Sequence, residues 1–176
     1  MRLAAVPSYH TQRYQGTTNT VRHMDQLARG PRGERSMKLR MTVEDIVSGV
    51  EPRDRVSQLA AIYAWFNDHF HYINDPVEVE LVKDPERLLE EIERRNVAMG
   101  DCDDAATFLF AAPRTIGIPT EFLRVGFKAN APMGGRLTHV LVCATDQYGR
   151  RVLLDPVAGK RVPNMVERVK HAVRGY

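Results

Sequence analysis

The sequence predicts an α+β domain in which helices come first and an antiparallel sheet follows. Apolar residues recur at three- and four-residue steps in Leu59, Ile62, Tyr63, Phe66 and Phe70, and again in Ala105, Phe108, Leu109 and Ala112. Leu88, Leu89 and Ile92 supply a third, shorter apolar face. Beyond residue 119 the helical period gives way to short apolar runs bounded by turn residues: Phe122 to Phe127, Leu137 to Ala144 and Val152 to Asp155. Helices grouped ahead of strands, rather than alternating with them, are the mark of a segregated α+β architecture.

The elements can be justified in order. Residues 1 to 40 show no helical or alternating apolar period and are rich in Thr, Gln, Gly, Asn and Arg. Such a stretch buries little, so it reads as an extended, irregular arm. A domain is expected over residues 41 to 159, starting with a short helix near Met41 for which Thr42 is the candidate N-cap. Asp54 can cap the next helix, which Asn74-Asp75-Pro76 ends. Asp84-Pro85-Glu86 places a cap, a proline and an acid where a helix start wants them, and Arg94 and Arg95 suit its C-terminus. Asn96 to Gly100 then leads into Cys102 and a helix that Pro113 should kink or shorten and that Gly117-Ile118-Pro119 stops. Lys128 to Arg136 is a loop, and Gly149 turns one strand into a hairpin partner. Residues 160 to 176 form a basic tail in which Met165, Val166, Val169 and Val173 suggest a modest helix.

At 176 residues, 43% hydrophobic and 27% charged, the chain can bury a core as one domain. No apolar run approaches the roughly 20 residues of a membrane-spanning helix, and no apolar leader opens the chain, so residence in the cytoplasm is the expectation. The two cysteines, Cys102 and Cys143, make no disulfide framework. They lack the close ligand pairs of a zinc site, so no metal is expected. The net charge of +3 conceals basic ends on an acidic middle. Those ends could dock on an acidic protein surface or on nucleic acid, but no aromatic-interleaved motif or basic recognition helix supports specific nucleic-acid reading.

The chemistry concentrates at Gly100-Asp101-Cys102-Asp103-Asp104. A thiol attacks only as thiolate, and unpaired amides at a helix N-terminus favour that anion. Those amides can also hold an oxyanion. Asp101, Asp103 and Asp104 oppose it, since like charge disfavours a thiolate, so the site needs a histidine nearby. His139 is the candidate, on an interior strand and in parity with Leu141 and Cys143. Asp155 could accept the hydrogen bond that fixes its tautomer. Cys143 reads as a small buried hydrophobe, and His69 and His71 as polar helix surface.

Spacing alone is weak evidence, because many proteins contain Cys, His and Asp in this order. The wording of the motifs is more specific. Gly-Asp-Cys-Asp-Asp-Ala-Ala, Gly117-Ile118-Pro119-Thr120-Glu121, Thr138-His139-Val140 and Leu154-Asp155-Pro156-Val157 together resemble the transglutaminase-like superfamily over roughly Arg53 to Gly159. The resemblance implies a papain-like core, with the cysteine helix packed on an antiparallel sheet. It implies Cys102 as nucleophile, His139 as base and acid, and Asp155 as orienting carboxylate. Peptide or protein substrates and no cofactor follow from it, with Tyr72 or Asn96 as guesses for a second oxyanion donor. The sequence departs from the family pattern after His139, where Val140-Leu141-Val142 stands in place of Ala-Trp and an acid, and at Pro113. Short members with this look resemble bacteriophage and prophage proteins, which implies a possible second role. That role is a non-enzymatic assembly protein docked on virion partners, or on copies of itself, through residues 1–40 and 160–176.

Overall fold

A computed structural model describes residues 8–9, 16–75, 80–125, 139–155 and 172–174. Their order is β1 (Ser8–Tyr9), α1 (Gly16–Arg29), α2 (Met37–Ile46), α3 (Arg55–His69), β2 (Phe70–Tyr72), β3 (Glu80–Leu81), α4 (Pro85–Arg95), β4 (Ala98–Gly100), α5 (Cys102–Thr115), β5 (Thr120–Val125), β6 (His139–Thr145), β7 (Arg151–Leu154) and β8 (Ala172–Arg174). Helices precede the main sheet, as expected, and that sheet is antiparallel throughout in the order β7-β6-β5-β8.

Helix α5 is the pivot. Every residue from Asp104 to Pro113 is buried, because one side of α5 meets the sheet and the others meet α1, α2, α3 and α4. Phe110 stacks on Phe122 of β5 at 4.4 Å between ring centroids, and Phe108 stacks on Phe66 of α3 at 4.7 Å. The period-two alternation of β6 splits its apolar residues between two clusters. Val140, Val142 and Ala144 join the main core, and Leu141 and Cys143 join Leu123 and Leu153.

The caps follow the sequence where local chemistry decides them. Asp54 accepts from the Ser57 amide and Asp84 from the Arg87 amide, with Pro85 in the first turn. Asn96 takes the left-handed conformation (φ 59°) that ends α4. That position gives Asn96 a capping job. Gly149, at φ 78°, makes the turn between β6 and β7.

Four expectations need correction. The first is the irregular arm. Residues 16–29 are a helix, with Val21, Met24 and Ala28 buried in the core. Their spacing of three and four is a helical stripe, short enough to be lost among the polar residues around it. The cations of this segment are also engaged: Arg32 bonds Asp84, Glu86 and Glu90, and Lys38 bonds Glu93. Arg32 holds the Glu90 carboxyl below its usual range. Basic α1–α2 residues thus meet the acidic face of α4. The second correction concerns α2, which begins at Met37 with Ser36 as its cap, accepting from the Leu39 amide. Thr42 lies inside that helix and bonds back to the Lys38 carbonyl. Third, Val173 lies in β8, where the edge of β5 supplies a ladder that a lone helix turn would lack. Fourth, Pro113 neither stops nor shortens α5, which continues to Thr115 although the proline has no N–H to give the Leu109 carbonyl. The expected loop at Lys128 to Arg136 and Met165, Val166 and Val169 lie outside the described residues.

Candidate active site

Cys102 is the first residue of α5, directly after β4. Asp101 precedes it as N-cap, its carboxylate accepting from the Asp103 amide at 2.9 Å. The cap explains why an aspartate stands beside the thiol: it satisfies an orphan amide of the first turn. Strand β4 is held in place by a parallel pairing with β2 that sets Tyr72 opposite Gly100, and the Ile73 amide bonds the Gly100 carbonyl at 2.7 Å.

Gly100 has a steric reason. A Cβ built there would lie 2.1 Å from Asp104 Oδ2 and 2.8 Å from Asp104 Cβ and Cγ. Only a residue without a side chain lets the buried Asp104 carboxyl sit against β4. That carboxyl accepts from the Lys83 amide at 2.7 Å, which ties the segment before α4 to the first turn of the cysteine helix. Burial pushes Asp104 up to about 8, partly offset by the Lys83 amide and ammonium. Asp104 is therefore largely protonated at neutral pH, and it is a different kind of group from Asp101 and Asp103.

His139 opens β6, and its Nε2 lies 2.8 Å from Asp155 Oδ1, both side chains being less than a tenth exposed. A buried imidazole needs such a partner. The bond has the neutral ring donating from Nε2–H, which leaves Nδ1 as the nitrogen able to exchange a proton with a neighbour. Asp155 is positioned in turn by Tyr63 of α3, whose hydroxyl donates to the Asp155 carbonyl at 2.5 Å. Burial pushes the Tyr63 phenol up to about 12, so it stays a donor.

The start of β6 also reaches the thiol. The Val140 backbone amide hydrogen-bonds the Cys102 sulfur and favours its anion. That help is outweighed: burial first, then Asp103 and Asp101, push the Cys102 thiol far above its ordinary value. Asp103 Oδ1 lies 3.6 Å from Sγ. The Tyr72 hydroxyl also hydrogen-bonds Cys102, and burial, followed by Cys102 and Asp101, raises it to about 12. Of the two guesses for an oxyanion donor, the structure puts Tyr72 beside the sulfur and Asn96 in a helix cap.

Three things were not evident in the sequence. Tyr63 was legible only as a member of an apolar stripe, although a buried tyrosine hydroxyl nearly always has a partner, and that was the available signal. Asp104 was grouped with its neighbours, although it stands four residues before Phe108 and so shares that apolar face of the helix. Third, Arg151 Nε donates to Cys143 Sγ at 2.9 Å and also pairs with Glu121, so Cys143 is buried but not purely apolar in its contacts. His69 bonds the Trp65 carbonyl through Nδ1 at 2.8 Å and stacks on Trp65. His71 is exposed on β2, opposite Met99. Among the described residues, Asp101, Cys102 and Asp103 are the one trio close enough to share a cation, their ligand atoms lying within 4.8 Å of one another. Asp101 is already engaged as the cap.

Comparison with known proteins places the family and the fold. A family model described as the transglutaminase-like superfamily matches residues 40–156. No curated protein sequence matches the chain. Among solved structures, a "putative protease" of Parabacteroides distasonis is similar, at TM-score 0.60 and 15% identity, over 81% of this chain and 26% of that one. A "putative cysteine protease" of Cytophaga hutchinsonii is similar at TM-score 0.53 and 20% identity, over 87% of this chain and 46% of that one. The chain thus spans about a quarter and about a half of those two proteins, and at these identities the likeness is one of fold. No helix among the described residues is long and apolar enough to cross a membrane.

Proposed function

Because the chain belongs to the transglutaminase-like superfamily, we propose that it performs acyl transfer on peptide or protein carbonyls, with Cys102 as nucleophile, His139 as base and acid, and Asp155 as the carboxylate that orients the imidazole. The observation that carries this reading is the buried His139–Asp155 bond at the start of β6, where the amide of the next residue, Val140, hydrogen-bonds the Cys102 sulfur. Cys102 Sγ attacks the carbonyl carbon while His139 Nδ1 takes the thiol proton. Proton removal during attack suits this site better than a standing thiolate, because burial and two carboxylates hold the proton on sulfur. The Tyr72 hydroxyl and the Cys102 amide are the donors for the developing oxyanion. As the carbon–nitrogen bond breaks, His139 returns the proton to the leaving amine. Water or a second amine then resolves the thioester, giving hydrolysis or crosslinking.

One observation favours a second reading, a protein that keeps the fold for assembly, as in a phage particle, without turnover. A thiol pushed so far up is a poor nucleophile unless the histidine intervenes. Alkylation separates the two. On the acyl-transfer reading, iodoacetamide labels Cys102 at pH 7 at least tenfold faster than it labels Cys102 in His139→Gln. Equal rates in the two proteins favour the assembly reading.

A further inference from the structure

We infer that the rim of the cysteine site binds an extended peptide carrying an apolar residue beside a basic one, laid along the outer edge of β2; this rests on the acyl-transfer reading for the position of the scissile carbonyl. Three independent features converge there. The first is a strand edge. Strand β2 pairs with β4 alone among the described residues, and the Ile73 amide is directed at the Gly100 carbonyl. Backbone groups alternate in direction along a strand, so the Tyr72 amide and carbonyl point away from β4, toward the outer edge. On the far side of β4, Lys83 Nζ donates to the Met99 carbonyl, which covers that edge with a side chain. The edge of β2 is therefore the one that can add a strand, and it runs past Tyr72, whose hydroxyl reaches Cys102.

The second feature is apolar exposure. Tyr72 is 44% exposed, Ile73 50% and Met99 40%. They form one patch, since β2 and β4 lie in register at Tyr72–Gly100 and His71–Met99. Phe66 of α3 and Phe108 of α5, by contrast, are fully buried. The third feature is charge. Asp101 and Asp103 are partly exposed beside Cys102, and both act on the Tyr72 hydroxyl. Lys83, a cation of the described residues beside β4, is directed to the Met99 carbonyl and Glu91. An apolar patch rimmed by net negative charge fits an apolar side chain with a lysine or arginine next to it. Such a cation would also offset the two carboxylates that keep the proton on Cys102, which links binding of the right peptide to attack.

Binding to the Cys102→Ser protein tests this without turnover. Fluorescence anisotropy would compare fluorescein-Gly-Ala-Leu-Lys-Gly-amide, labelled at its N-terminus, its Lys-Leu counterpart, and the versions with Glu in place of Lys. The better Lys-containing peptide is expected to bind about tenfold or more tightly than its Glu version, with the ratio shrinking as salt is raised. Ile73→Ser with Met99→Ser, both exposed positions, is expected to weaken Lys-peptide binding by about tenfold while leaving the circular dichroism spectrum and melting temperature unchanged. Equal affinity for Lys and Glu peptides, or no effect of the double substitution in a folded protein, overturns the inference. An inert Cys102 together with selective peptide binding would remove the acyl-transfer reading and leave this surface standing. A reactive Cys102 with indifferent binding would do the reverse.

Discussion

Asp104→Asn is the substitution whose outcome the structure fixes most tightly. The unfolded chain releases the Asp104 proton near 3.8, whereas the buried carboxyl holds it to about 8. Between those values the folded protein binds a proton that the unfolded chain has lost. Its stability contribution is therefore complete below pH ~4 and drains away as pH rises through 8. A difference of one pKa unit is worth about 1.36 kcal/mol, so about 3 pH units between 5 and 8 amount to roughly 4 kcal/mol. Asparagine has nearly the same shape, can still accept from the Lys83 amide, and never ionises in this range. Urea unfolding at pH 5, 6, 7 and 8 should therefore show the variant gaining on the wild type by roughly 4 kcal/mol in total, about a third of that per unit. Parallel stability curves would refute the reasoning, since they would mean that Asp104 is ionised in both states or is not buried in solution.

Three further outcomes are expected. Gly100→Ala places a methyl against the anchored Asp104 carboxyl and should destabilise by about 1–3 kcal/mol by thermal unfolding, with the loss smaller in an Asp104→Ala background. Met24→Ala should cost about 2–5 kcal/mol, because Met24 is fully buried in the core; a loss within 0.5 kcal/mol, the scale of a surface change, would restore α1 to the status of an arm. Tyr72→Phe removes the hydroxyl that bonds Cys102 and should slow acylation by about 10²-fold or more with little change in substrate affinity; weakened affinity with the acylation step unchanged would assign Tyr72 to binding alone.

How legible the chain was depends on the range of the forces involved. Asp54, Asp84 with Pro85, and the Gly149 turn were readable because each obeys chemistry contained within a few residues. The α3 and α5 stripes were readable because large side chains recur at helical spacing. Helix α1 was missed because its stripe consists of Val21, Met24 and Ala28 among polar neighbours, and its stability comes from packing on α5 and from Arg32 reaching three acids more than fifty residues away. The short parallel pair of β2 and β4 was missed for the same reason, since neither strand carries a pattern of its own. The His139–Asp155 pair was anticipated from motif wording, whereas Tyr63 behind Asp155 and Asp104 beneath Gly100 required three-dimensional neighbours to be seen.

The most direct test of the central claim is trapping of an acyl-thioester. Incubation with p-nitrophenyl acetate followed by peptide mass spectrometry should place the acetyl group on Cys102, with a burst of p-nitrophenol that falls at least a hundredfold in His139→Gln and more modestly in Asp155→Asn. Acetylation of Cys143 in place of Cys102, or a Cys102 burst unchanged by removal of the imidazole, would contradict a site in which His139 takes the proton from the cysteine at the head of α5.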